Sequence, residues 1–284
     1  MMRQRLISAA IGLAIILVIL FFYNTLVLNF AIVLIILLAL QEAFRATHYV
    51  NNRGLFAICL VFACMVPFFH ISRLRIVTQI FCFLFIAALF ILLLANHKTM
   101  TFEQLSAAFL LTMLLSFSFS SIVFMRDFYL HRQIAKDIGL FYILLIFLGA
   151  WITDAGAYFV GRFFGKIKLA PEISPKKTVE GAVGGVVSTL LVFMLTGFLY
   201  QKYAALFAAS PVVRYPVLLI LALLCAFAAI LGDLAASLIK RECHIKDFGN
   251  ILPGHGGMLD RFDSVMFVAP LVMIFIQICP VIRA

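Results

Sequence analysis

From Val217 to Asp263 the chain reads VLLILALLCAFAAILGDLAASLIKRECHIKDFGNILPGHGGMLDRFD. The first half is an apolar run in which Asp233 is the only charged residue up to Ile239. A run of this length is enough for a spanning helix, which needs roughly 20 apolar residues. The second half then gathers Lys240, Arg241, Lys246, His255 and Arg261 with the acids Asp247, Asp260 and Asp263, around a glycine-rich turn. The stretch therefore reads as a membrane span ending in a dense polar patch. Ionisable groups set this close to membrane segments mark functional positions.

The rest of the chain extends the first half of that reading. It has 284 residues, 65% of them hydrophobic and only 12% charged, about half the charge of an ordinary soluble domain. The apolar runs do not alternate, which argues against a β-barrel. Nine spans are expected, near 5–23, 25–44, 55–70, 76–96, 103–125, 138–160, 180–200, 213–239 and 263–281. The run after Met-Met-Arg-Gln-Arg reads as a first spanning helix in preference to a signal peptide, since no small-residue cleavage site follows. The fold class is thus all-α: a polytopic integral membrane protein of about nine transmembrane helices, with no separate soluble domain.

Lys and Arg favour the N-terminus inside and the C-terminus outside, although the cluster Arg126–Lys136 opposes it. The two densest basic loops, 161–179 and 240–262, are expected at the cytoplasmic face. Eight of the 12 acids (Asp154, Glu172, Glu180, Asp233, Glu242, Asp247, Asp260, Asp263) follow residue 150. Residues 1–137 accordingly read as lipid-facing scaffold helices, and 138–284 as the catalytic region. The six cysteines form no CxxC pair, which disfavours a zinc or redox motif. The net charge of +10 suits anionic lipids or an anionic substrate, and there is no nucleic-acid module.

Several constellations carry chemistry. Asp233, Ser237, Lys240 and Arg241 fall on one helical stripe, an acid below two cations. This suits a metal-bound phosphate better than an acid kept for packing specificity, because the acid shares a face with the basic pair. Asp154 is a second intramembrane acid, with Tyr158 and Arg162 four and eight positions on. Ser174-Pro175 reads as a helix start, with Ser174 as N-cap and Pro175 at the first helical position. Lys176 and Lys177 are wrong for the dipole at such a terminus unless an anion binds there, although lysines flanking a span are ordinary. Gly181, Gly184 and Gly185 allow a close helix approach. The turn Pro253-Gly254-His255-Gly256-Gly257 has backbone freedom to lay N–H groups on a polyphosphate, but lacks P-loop spacing. Asp260 and Asp263 with oxygen-only company suit Mg²⁺, which takes one or two carboxylates plus substrate phosphates. Together these residues point to phosphoryl or nucleotidyl transfer onto a lipid, and do not choose among kinase, phosphatase, nucleotidyltransferase and alcohol phosphotransferase.

The run Ser237-Leu-Ile-Lys240-Arg241-x4-Lys246-Asp247-Phe-Gly249-x2-Leu252-Pro-Gly-His255-Gly-Gly257-Met-Leu-Asp260-Arg261-Phe-Asp263 resembles the signature of the phosphatidate cytidylyltransferases (CDP-diacylglycerol synthases). Asp154-Ala-Gly-Ala-Tyr158, Gly161-Arg162-x2-Gly165-Lys166 and Ser174-Pro-Lys-Lys-Thr178-x-Glu180-Gly181 resemble that family's bacterial members. The resemblance implies an enzyme of phospholipid biosynthesis, joining CTP and phosphatidate into CDP-diacylglycerol and pyrophosphate. It implies catalytic roles for Asp233, Lys240, Arg241 and Asp260, and metal binding by Asp233, Asp260 and Asp263 in a centre holding Mg²⁺, with K⁺ as a further ion. Substrate contacts would come from Asp154, Lys176, Lys177, Thr178, Glu180, Ser237, Lys246, Asp247, His255 and Arg261. The expected setting is the inner (cytoplasmic) membrane, with the active site facing the cytoplasm and a homodimer left open. The alternatives are a lipid or polyprenol kinase, a CDP-archaeol-type synthase, and an ion-coupled transporter. The last is disfavoured because charge collects at one face instead of running through the bilayer depth.

Overall fold

The structure is a computed structural model and describes residues 12, 14–48, 52–69, 75–131, 136–206, 212–251 and 256–283. After an apolar helical stretch ending at Phe21, the chain forms α1 (Leu26–Ala46), α2 (Arg53–Met65), α3 (Arg75–Ala95), α4 (Phe102–His131) and α5 (Lys136–Phe164). Two short strands follow, β1 (Lys168–Ala170) and β2 (Ser174–Thr178), then α6 (Val179–Leu206). The chain ends with β3 (Val212–Val213), α7 (Tyr215–Glu242), the single turn α8 (Leu259–Phe262), α9 (Val265–Ile278) and β4 (Ile282–Arg283).

The helical membrane architecture is as expected, with differences in the spans. Among the described residues six helices are long and apolar enough to cross a bilayer: Leu26–Ala46, Ile76–Ala95, Phe102–Tyr129, Asp137–Phe164, Val179–Tyr203 and Tyr215–Glu242. The segment expected to span at 55–70 is a 13-residue helix closed by a 3-10 turn through Val66–Phe68. At 1.5 Å per residue such a helix reaches roughly 20 Å, short of a core about 30 Å thick. The last apolar helix has 14 residues with Pro270 inside it. Residues 5–11 and 13 of the expected span 5–23 lie outside the described residues. Helices α4 to α7, at 28 to 30 residues, outrun the expected spans, and in α5 and α7 the extra turns carry the basic residues Arg162, Lys240 and Arg241.

Local chemistry explains the breaks. The Thr25 hydroxyl accepts from Val27 N at 3.2 Å and starts α1, and the Asn52 side-chain oxygen accepts from Leu55 N at 3.1 Å and starts α2. Both satisfy amides that a helix start leaves without partners.

The chain divides into two compact units, one of Met1–Asp127 with Cys243–Arg261, the other of Phe128–Glu242 with Phe262–Ala284. In the first, α1, α2 and α3 pack in succession around buried Ile36, Leu40, Phe44, Phe62 and Phe85. Arg126 also belongs there. The cluster Arg126–Lys136 was expected as an outside loop, but Arg126 is inside α4 and buried. Its guanidinium meets Asp127 at 2.6 Å and donates to Thr25 O at 2.7 Å and Tyr23 O at 3.3 Å. This basic residue is a structural tie and not a loop charge, so it drops out of the orientation argument.

In the second unit α5 and α6 form the most extensive helix pair, and α7 and α9 pack beside them. The seam rests on small residues. A Cβ on Gly185 would lie 2.7 Å from Thr153 O, and one on Gly156 2.7 Å from Ser188 Cβ. The hydroxyls of Thr153 and Thr189 meet across the seam at 2.6 Å. This is close packing of the kind that membrane helices build on glycine. The C-terminal end is fastened by β3–β4 pairing, Val212 with Arg283 and Val213 with Ile282, and by Val281 N donating to the buried Tyr142 hydroxyl at 3.0 Å.

Candidate active site

Loop 161–179 carries local structure that the sequence reading omitted. Strands β1 and β2 pair antiparallel, Lys168 with Thr178 and Ala170 with Ser174, with an irregularity between. Ser174 is therefore a strand residue and not a helix N-cap. A residue before proline is pushed toward extended backbone, and the pairing with β1 uses that bias. Helix α6 begins at Val179, and its cap is Thr178, whose hydroxyl accepts from Gly181 N at 3.1 Å. The Glu180 carboxylate accepts from Lys166 N at 3.0 Å and Ile167 N at 3.2 Å, pinning the entry to the hairpin.

The hairpin brings its lysines over the second unit's acids. A cavity of about 400 Å³ is lined by Asp154, Tyr158 and Arg162 of α5, Lys176, Lys177 and Thr178 of β2, Gly181 of α6 and Asp233 of α7, among others. Lys177 Nζ sits 2.6 Å from Asp233 Oδ2, with the two side chains 22% and 29% exposed. That ammonium is enclosed, with the Asp233 carboxylate as its ion-pair partner. Arg162 donates to the Tyr158 hydroxyl at 3.0 Å, which keeps the Asp154–Tyr158–Arg162 stripe together. The cavity thus joins the carboxylates of α5 and α7 to the cations of α5 and β2, as a site for a phosphate-bearing ligand requires.

Asp263 is buried at the α8–α9 junction, and its Oδ1 accepts from Ser264 N at 2.9 Å. The Ser264 hydroxyl donates to Asp154 Oδ2 at 2.7 Å. Asp154, Asp233 and Asp263 lie close enough to repel one another, while Lys240 and Lys177 offset part of that charge. Gly232 lets α7 reach this junction, since a Cβ there would be 2.6 Å from Asp263 O. Ser237 is buried on α7, and Arg241 Nε donates to Ile173 O at 3.3 Å, tying the end of α7 to the hairpin loop.

The remaining expected residues belong to the first unit. Lys246, Asp247 and Arg261 are exposed, and His255 lies outside the described residues. Asp260 Oδ2 accepts from Phe248 N at 2.9 Å and Gly257 N at 3.1 Å, closing the loop on itself. Glu42 of α1, which the sequence reading passed over, meets the same loop. Its Oε1 accepts from Met258 N at 3.0 Å and its Oε2 from Leu259 N at 2.9 Å. The amide of Gly257, at the end of the turn expected to cradle phosphate, and those of Phe248, Met258 and Leu259 around it are therefore held by the protein's own carboxylates. The available signal was that Glu42 is the sole acid in the apolar run of α1.

Among the described residues no three His, Cys, Asp or Glu side chains converge closely enough to form a metal cage. Asp233 and Asp263 offer oxygen donors only, the ligand type that hard cations take.

Against known sequences, the model of the "Cytidylyltransferase family" matches residues 3–279. The chain belongs to the cytidylyltransferase family. A phosphatidate cytidylyltransferase of Staphylococcus haemolyticus is 37% identical over 281 residues, covering 97% of this chain and 99% of that protein. That of Staphylococcus saprophyticus is 45% identical over 175 residues, 62% of this chain and 61% of the relative. That of Bacillus subtilis is 41% identical over 173 residues, 61% and 58% of the two chains. The family match takes in every site residue named above, from Glu42 to Asp263.

Proposed function

We propose that this chain is an enzyme that transfers the cytidylyl group of CTP to phosphatidate, giving CDP-diacylglycerol and pyrophosphate. The observation that carries the reading is the cavity, also lined by Lys176 and Arg162, where the enclosed Lys177 ammonium meets Asp233, in a chain aligned end to end with a relative named for this reaction.

A phosphatidate phosphate oxygen attacks the α-phosphorus of CTP. One P–O bond forms, the bond between the α-phosphorus and the bridging oxygen breaks, and pyrophosphate leaves with that bond's electron pair. The nucleophile is already ionised, so no strong base is needed. The work falls on positioning and charge neutralisation. Lys176, Lys177 and Arg162 bind phosphate oxygens, and Lys240 and Arg241 extend the positive field at the end of α7. Thr178 and Glu180 fix the hairpin that carries the lysines, while Ser237, Asp154 and Asp247 are assigned to substrate. Lys246, His255 and Arg261 complete the set of cations. Mg²⁺ would be held by Asp233 and Asp263, with Asp260 a further ligand candidate and K⁺ an accompanying ion. Bound there, Mg²⁺ supplies charge neutralisation to the phosphates. The setting that fits is the cytoplasmic face of the inner membrane, and the protein works alone or as a homodimer.

The test is purified protein in detergent with CTP, phosphatidate and Mg²⁺. Pyrophosphate and a CDP-lipid are expected, both lost in Asp233→Asn. A nucleoside diphosphate product would favour a lipid kinase. Folded protein that makes no CDP-lipid would refute the reading.

A further inference from the structure

We propose that Glu42 is a positioning residue for this reaction, setting the glycine loop that presents Asp260 and Arg261. The activity readout below rests on the function proposed above, while the geometric claim does not. Glu42 is 1% exposed inside a span, where a carboxylate is costly to keep. Its two oxygens are spent one each on the amides of Met258 and Leu259, at the start of the turn that carries Asp260. The loop is shaped to admit it. A Cβ on Gly257 would fall 2.6 Å from Glu42 Oε2, and one on Gly249 2.7 Å from Glu42 Cδ. Gly256, between them, has φ +87°, a left-handed conformation that glycine adopts without strain. Asp260 then closes the loop from the other side through Phe248 N and Gly257 N. Two carboxylates on opposite sides fix the backbone on which Asp260 and Arg261 stand. Glu42 touches no substrate. It acts through the rigidity it gives the turn.

The experiment compares wild type, Glu42→Gln and Gly257→Ala in detergent. Backbone amide exchange is followed across 256–261, and kcat is separated from KM for CTP and for phosphatidate. Glu42→Gln preserves volume but faces one amide donor with another. Gly257→Ala keeps the carboxylate and forces it away. Both variants are expected to exchange Met258 and Leu259 amides faster, and to lose roughly 10- to 100-fold in kcat, the usual toll of disturbing a supporting hydrogen bond. KM for phosphatidate should hold. Folded Glu42→Gln with wild-type kcat, or unchanged exchange at Met258 and Leu259, overturns the proposal. Should wild type itself make no CDP-lipid, the exchange data alone decide the clamp, and the failure falls on the function.

Discussion

Removing the Lys177–Asp233 pair one partner at a time tests how the cavity is wired. Lys177→Met leaves Asp233 among Asp154 and Asp263 without its nearest cation, and Asp233→Asn leaves an enclosed ammonium without its carboxylate. At 4 Å and an effective dielectric of 20 a unit pair is worth about 4 kcal/mol, and this pair is closer, at 2.6 Å. Both side chains keep part of their hydration, however. Fully exposed pairs give about 0.2–1 kcal/mol, while losing one partner of a buried pair costs about 3–5 kcal/mol. With side chains 22% and 29% exposed, a coupling of about 1–3 kcal/mol follows, between those limits. The assay is a double-mutant cycle in mixed-micelle unfolding titrations. The double mutant Lys177→Met/Asp233→Asn should be less destabilised than the sum of the singles by that amount. Turnover should fall in each single mutant, and the double should be no worse than the worse single, because the two groups act as a unit. Additivity within about 0.5 kcal/mol, the behaviour of independent sites, would refute the pairing.

Two further outcomes probe the scaffold. Gly185→Leu drives a side chain into Thr153 O across the α5–α6 seam, and should cost about 1–3 kcal/mol, as overpacking does, with lowered CTP turnover in the surviving folded fraction. Arg126→Ala strands Asp127 in a buried site, an about 3–5 kcal/mol loss in the same titration. Arg126→Lys should recover little, since a single ammonium cannot reproduce a fork that serves Asp127, Tyr23 O and Thr25 O together.

The helical membrane class was legible because apolar runs of spanning length have few other readings. The seam at Gly181, Gly184 and Gly185 was legible too, as small residues in a span invite close approach. The Asp154–Tyr158–Arg162 and Asp233–Lys240 stripes followed from helical spacing. What escaped was whatever depends on distant partners. Ser174-Pro175 carries a helix-start signal and an extended-backbone signal, and pairing with β1 decided between them. Arg126 looked like a loop charge until its acid and carbonyl partners gathered around it. No local signal beside the turn Pro253–Gly257 reveals that Glu42 and Asp260 take the amides of Gly257, Met258, Leu259 and Phe248.

That last tie also orders events during synthesis. Glu42 precedes its acceptor-bound amides by 216 and 217 residues. At about 5–20 residues per second it leaves the ribosome roughly ten to forty seconds before they exist. Through that interval the Glu42 carboxylate lacks the amides of Met258 and Leu259 that it holds in the finished chain. The glycine turn is then a late keystone. A chain stopped before Met258 holds most of its helices and lacks the contact that locks the first of them.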